Sequence, residues 1–347
     1  MNFIPKLVLT AAIGLSWNYT YNYTDLLDLK EWVKDATKEY SPDSWDLLMN
    51  YESIPPKQEA KAVNGRVITK KTVSAFYYLK GRNMIDLLSS MATNIHEIAH
   101  GYCDQNIFRY AREKGIKLDI DNAEEFLFYS PSRSFFISFP LKSLFPSREL
   151  VPNIPRNLRT FRYDTYINGR TSTQSEGVIG LLNELHAYYL ESKFCYEMLK
   201  PYKKAEGSDV MGLFEWVYHS QSKMTAFFEF DFFIKEYLLH MKRKYPDDYR
   251  KLLGYRPFTE AYVTIHTSYK ELTNKYLQRI TREMTSLNAS GKGEARIEGN
   301  RIWVKEAGSD ASIGTPVFSA DMETLLPVLN GSRYQEIIVD FLIPRIK

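Results

Sequence analysis

The stretch Asn94-Ile95-His96-Glu97-Ile98-Ala99-His100-Gly101-Tyr102 constrains this chain more than any other. Ile85, Leu88, Ala92, Ile95, Ala99 and Tyr102 recur at helical spacing around it, which predicts one long helix over 83–114 with a buried stripe. Asn83 is its expected cap, with Asp86 three residues on, and Gly115 its expected stop. Ser89, Thr93, His96, His100 and Cys103 make a second, more polar stripe beside the first. Residues four apart lie one above the other on a helix, so His96 and His100 can aim imidazole nitrogens at one ion. Glu97 then projects beside that ion, where it can take a proton from bound water. Zn2+ is the expected ion, because it lowers the pKa of its water toward roughly 7. With 6 His and 25 Glu in 347 residues, chance supplies only ~0.007 matches to this pattern.

Two histidines and a water leave a catalytic zinc one protein ligand short. The leading candidate is Glu184, inside the helical segment that runs from Gly177 through Asn183-Glu184-Leu185-His186-Ala187-Tyr188 to Glu191. His-Glu-x-x-His followed by a helical Asn-Glu-x-x-Ala segment resembles the gluzincin metallopeptidases. The resemblance covers these two short segments. It implies a zincin-like fold, His96, His100 and Glu184 as zinc ligands, and Glu97 as general base. Many gluzincins place an Asp four residues after the ligand Glu, where this chain has Tyr188. Support for a zinc histidine is then expected from the Tyr188 hydroxyl, from Glu191 or from elsewhere. The resemblance further implies a Tyr or His that donates to the oxyanion of a tetrahedral intermediate. Candidates are Tyr188, His219, Tyr262 and His266, with the catalytic part assigned to Tyr188.

Rival third ligands fit less well. His186 lies two residues past Glu184 and faces nearly the opposite way on a helix. Asp104, one turn past His100, stands about 12 Å from the level of His96 on an unbroken helix. Glu124 and Glu125 precede an expected strand and are expected in solvent. Gly180, one turn before Glu184, either lets another helix approach closely or is a tolerated helix glycine.

The expected fold class is α+β and predominantly helical. Helices are expected over 25–40 and 44–49, and one or two strands within 66–79. A hairpin across 125–139 should turn at Ser130-Pro131-Ser132. A helix over 175–200 should stop at Pro201, and long helices over 210–287 should break near Pro246 and Pro257. Thr72–Tyr78 is a candidate sheet edge for an extended peptide, with the 125–139 hairpin as an alternative cleft wall. The aromatic run Phe227–Phe233 reads as core. The small, polar stretch 288–293 is an expected linker between a zincin-like domain, 17–287, and a small C-terminal α+β appendage, 288–347, that begins with a hairpin around Gly299-Asn300.

A net charge of +3 with both signs interspersed argues against a nucleic-acid partner. The cluster Lys242-Arg243-Lys244 reads as a solvated helix end. No apolar run reaches the roughly 18–20 residues of a membrane-spanning helix. Residues 1–16 have the form of an export signal, with Lys6 before the apolar stretch Leu7–Leu15, which favours a periplasmic or secreted protein over a cytoplasmic one. Cys103 and Cys195 are too few for a disulfide scaffold or a four-cysteine zinc site, although an exported chain could join them in one bridge. Asn18 and Asn22 begin sequons that matter only in a glycosylating pathway. The expected function is zinc-dependent hydrolysis of a peptide or protein substrate. Hydrolysis of a non-peptide amide is one alternative, and a degenerate zincin that serves as a binding module is another.

Overall fold

The computed structural model describes residues 23–61 and 63–343. The expected export signal and the asparagines of both sequons lie outside the described residues. The fold is α+β and predominantly helical. Helices α1 (Tyr23–Tyr40) and α2 (Pro42–Glu52) pack on the long helix α3 (Met84–Lys114), and a hairpin of β1 (Lys57–Lys61) and β2 (Val67–Lys71) lies between them in sequence. Helix α3 begins and ends where the sequence signals place it. Asn83 accepts the Asp86 amide at 2.8 Å, and Gly115 closes the helix in the left-handed conformation, φ 65°. Leu88, Ala92, Ile95, Ala99 and Tyr102 are buried, as their spacing requires.

Strands β3 (Ala123–Phe128) and β4 (Phe135–Pro140) form the expected antiparallel hairpin, with Phe126 opposite Ile137. Two short helices follow, α4 (Tyr163–Tyr166) and α5 (Ser172–Ser175), and then α6 (Gly177–Glu197). Helix α6 packs against α3, against α8 (Asp209–Lys244) and against α10 (Arg256–Ser290). Every side from Gly177 to Ala187 is buried, because this stretch is nearly all apolar and has a neighbour on each face. Short helices α7 (Leu199–Glu206) and α9 (Pro246–Gly254) complete the helical body. The aromatic residues Phe227, Phe230, Phe232 and Phe233 of α8 are core, as expected.

Two glycines shape the start of α6. Gly177 has φ 60°, and a Cβ there would meet the Tyr237 hydroxyl at 2.5 Å and the Phe145 carbonyl oxygen at 2.8 Å. A Cβ at Gly180 would lie 2.3 Å from the Thr173 carbonyl oxygen. Gly180 therefore admits the α5 turn, not another long helix, against the face that carries Glu184.

Several expectations need correction. Thr72–Tyr78 is not a sheet edge: β2 stops at Lys71 and residues 75–78 form a turn. The buried Asn94 side chain fixes that turn, accepting the Tyr78 amide at 3.1 Å and donating to the Ala75 carbonyl at 2.7 Å. Helix α6 ends at Glu197, ahead of Pro201, which sits in the first turn of α7 where a missing N–H is harmless. Glu124 and Glu125 lie inside β3 and are half-buried, not solvated. The stretch 288–293 is not a loose linker. Helix α10 runs to Ser290, Gly291 caps it at φ 69°, and Asn288 binds both the N–H and C=O of Ala295. Strands β5 (Gly293–Glu298), β6 (Arg301–Glu306) and β7 (Ile313–Pro316) then form a three-stranded sheet, followed by α11 (Ala320–Leu329). Their buried residues Ala295, Ile302, Phe318 and Leu325 continue the core of α8 and α10.

No helix among the described residues is long and apolar enough to cross a membrane. Cys103 and Cys195 are both buried and both free. At the end of α8, Lys242 pairs with Glu336 and Asp340 and Lys244 with Glu149, so that basic cluster is met by carboxylates. Two ion pairs of Lys or Arg are buried outright among the described residues, Lys235–Asp231 within α8 at 2.7 Å and Arg162–Glu229. The Arg162 guanidinium meets Glu229 of α8, with side chains 6% and 0% exposed. The Arg162 amide also donates to Glu229 at 3.0 Å, and its Nη2 to the Ser222 carbonyl at 3.2 Å. Removing one partner leaves a charge uncompensated in the core. Glu229→Ala should therefore cost about 3–5 kcal/mol in urea unfolding, and a loss below about 1 kcal/mol would contradict this account of the pair.

Candidate metal centre

Helix α3 presents His96 and His100 one turn apart, and the packing of α6 against it brings Glu184 opposite both. The two Nε2 atoms are 3.1 Å apart. Glu184 Oε2 lies 3.6 Å from His96 Nε2 and 3.4 Å from His100 Nε2. Zinc bonds of 2.0–2.1 Å at tetrahedral angles put neighbouring ligand atoms about 3.3–3.4 Å apart. The observed triangle has a circumradius of about 2.0 Å, so one ion of zinc's size fits it at bonding distance from all three corners. Among the described residues this is the only group of three His, Cys, Asp or Glu side chains gathered so closely.

The donor chemistry agrees with the spacing. His96 Nδ1 lies 3.1 Å from Glu191 Oε2, so a neutral ring with its proton on Nδ1 would turn the Nε2 lone pair inward. Glu184 Oε1 receives the Thr173 hydroxyl at 2.9 Å, whereas Oε2 is buried with no hydrogen-bond partner. Electron-rich atoms thus converge on one point, an arrangement that a cation stabilises and that bare side chains resist. The electrostatics carry the same sign. Burial alone would push His96 toward its neutral form, yet Glu184 and Glu191 outweigh it and hold the pKa well above 6.5. Burial would raise the Glu184 carboxyl, yet His100 and His96 hold it far below the usual carboxylate range.

A second layer orients His96. Glu191 is 5% exposed and takes the orienting part expected of a residue after the ligand Glu. The Tyr188 hydroxyl does not take it. The Tyr188 ring packs edge-on against His96, with centroids 4.4 Å apart, and its hydroxyl points to Tyr166 Oη at 3.4 Å. Arg162 covers the Tyr188 ring at 4.5 Å, so the buried Arg162–Glu229 pair reaches the centre through that ring. Glu191→Gln should weaken zinc binding about 10–100-fold, measured by competition with a chromophoric chelator. Unchanged affinity would remove Glu191 from the site.

Glu97 is half-buried and lines a cleft of about 750 Å³ together with His100, Asn183 and Glu184. A smaller opening of about 230 Å³ lies on the other side, bounded by Glu97, His96, Tyr166 and Tyr188. Glu97 is thus common to both openings. One wall of the larger cleft is β3, from Ala123 to Phe126, and Val73 and Tyr78 of the expected edge segment also line it, though not as a strand.

The rival ligands His186 and Asp104, and the oxyanion candidates His219 and His266, are engaged elsewhere. His186 points away, with Nε2 2.7 Å from the Tyr129 carbonyl and Nδ1 4.0 Å from Cys103 Sγ, and burial lowers its pKa to about 4. Asp104 binds Lys70 at 2.7 Å. His219 pairs with Glu215 at 3.3 Å and stacks on Tyr202. Tyr262 is fully buried, and His266 is held 3.2 Å from Asp231 at a separate cavity between α8, α10 and the C-terminal elements. Thr173, Tyr166, Arg162 and Asn183 were not singled out from the sequence. They lie in or beside irregular segments or, for Asn183, next to the ligand itself, and no periodicity marks them.

Comparison of the chain with family models, with curated proteins and with solved structures gives no match.

Proposed function

We propose that this chain is a zinc-dependent peptidase with a zincin-like core built on α3 and α6. The observation that carries the reading is the zinc-sized triangle of His96 Nε2, His100 Nε2 and Glu184 Oε2, two corners of which, His100 and Glu184, line an open cleft together with Glu97. A bound zinc would polarise a substrate carbonyl and lower the pKa of a water toward roughly 7. Glu97 would serve as the base that accepts a proton from a water in the cleft and returns it to the leaving amine. It follows His96 directly, so it projects about 100° around the helix from that ligand and reaches the cleft without joining the ligand set. Glu191 keeps His96 in one tautomer, and Thr173 keeps one Glu184 oxygen turned inward. Tyr166 and Tyr188 supply phenolic O–H groups beside His96 and Glu97 for the developing oxyanion. Burial holds the Tyr166 phenol in its protonated, donating form. An extended substrate has a backbone partner in β3, which pairs with β4 along one edge only and lines the cleft.

A degenerate peptide library incubated with zinc-loaded protein tests the reading. Cleavage that a chelator stops and added zinc restores is expected. Stoichiometric zinc with no cleavage of any peptide would reject peptidase activity and leave hydrolysis of a non-peptide amide or a binding role.

A further inference from the structure

The larger cleft carries six carboxylates and one amine. Glu184 belongs to the candidate metal triangle, and Glu97 is the proposed base. Asp104 is neutralised by Lys70, whose Nζ lies 2.7 and 2.8 Å from its two oxygens. Glu124, Glu125 and Glu176 remain, and none of them is in an ion pair among the described residues. Ser138 donates to one Glu125 oxygen at 2.9 Å, and the other is buried without a partner. Burial and the neighbouring Glu124, Glu184 and Asp104 push Glu176 up to about 7, so these carboxylates feel one another.

An independent feature points to a ligand. Asn183, only 7% exposed, lines the same cleft, and its buried Oδ1 has no hydrogen-bond partner. Leaving such an acceptor unpaired costs about 1–3 kcal/mol, which an incoming N–H would recover.

Resting on the peptidase reading, we propose that this cleft selects peptides with a lysine or arginine side chain near the scissile bond, held by Glu124 and Glu176. Distances along α6 set the reach. Glu176 stands just ahead of α6, with Gly177 at φ 60° after it, and its carbonyl accepts the Gly180 amide at 3.4 Å, so it lies about two turns before the ligand Glu184. The Glu176 carboxylate folds back over Gly180, 3.0 Å from where a Cβ would stand. An extended peptide advances about 3.3–3.6 Å per residue, so a long cationic side chain within about two residues of the cleaved bond spans that gap. A carboxylate-bearing side chain would meet uncompensated charge of its own sign.

Binding to the zinc-loaded Glu97→Gln protein provides the test, using peptide pairs identical except for lysine or glutamine at one position. The lysine peptide should bind about tenfold tighter at one position near the centre of the peptide, with the difference shrinking as salt rises. Adding Glu124→Gln and Glu176→Gln should bring the ratio toward one, and the kcat/KM ratio of the protein with Glu97 intact should fall in parallel. Equal binding at every position, or a preference that survives both substitutions, overturns the inference. A lysine preference in binding alongside no cleavage of any peptide would sink the peptidase reading and leave the cationic subsite standing.

Discussion

Glu97→Gln should keep one zinc ion per chain and lose hydrolysis by about 10²–10⁴-fold, the range general-base catalysis supplies. The substitution preserves the size of the side chain and its polarity, so α3 and its packing on α6 are undisturbed. Only the capacity to accept a proton is removed. Glu97 lines both openings at the centre yet is not among the three converging ligand atoms, so zinc stoichiometry and turnover should separate cleanly. Metal analysis and a rate measurement on the same preparation check both halves. Turnover within a few-fold of the unsubstituted protein would take Glu97 out of the mechanism. Loss of zinc would make it a ligand.

Glu184→Ala should weaken zinc binding by more than about 100-fold, beyond the 10–100-fold that a supporting residue such as Glu191 contributes. The alanine removes the oxygen that closes the triangle and leaves His96 and His100 as a two-point site. It also frees the Thr173 hydroxyl, so part of the effect passes through the α5 turn. Glu184→Gln separates these contributions, because it keeps the Thr173 contact and removes the charge. Affinity unchanged in both variants would send the search to another ligand. Glu124, Glu176 and Asp104 supply further carboxylates within the larger cleft.

The long-helix parts of the molecule are legible in the sequence because their signals are local and redundant. Helix α3 has a stripe, a cap and a terminal glycine that all agree, and its bounds follow. The centre is half legible for the same reason. His96 and His100 share one helix and a fixed spacing, whereas Glu184 comes from another helix and was found through the form of its own segment. The supporting residues are less legible. Arg162 and Thr173 act across 67 and 11 residues of chain, to Glu229 and Glu184, and nothing local announces such contacts. The misplaced strand at 72–78 has a plain cause. Val73, Phe76, Tyr77 and Tyr78 have strand-forming side chains, but Asn94 supplies from α3 the hydrogen bonds that fix the turn. The charge of Glu124 and Glu125 predicts that they lie in solvent. A strand that walls a cleft keeps them half-buried, and their use becomes visible only once the cleft does. Gly180 shows the limit from the other side: its value lies in the 2.3 Å approach of a carbonyl oxygen from the α5 turn, a segment the sequence does not mark.

Anomalous diffraction at the zinc absorption edge, from crystals of the zinc-loaded protein, tests the proposal most directly. One peak is expected, within about 2.0–2.2 Å of His96 Nε2, His100 Nε2 and Glu184 Oε2. A peak elsewhere in the molecule, or a zinc held by the two histidines with Glu184 turned away, would contradict it.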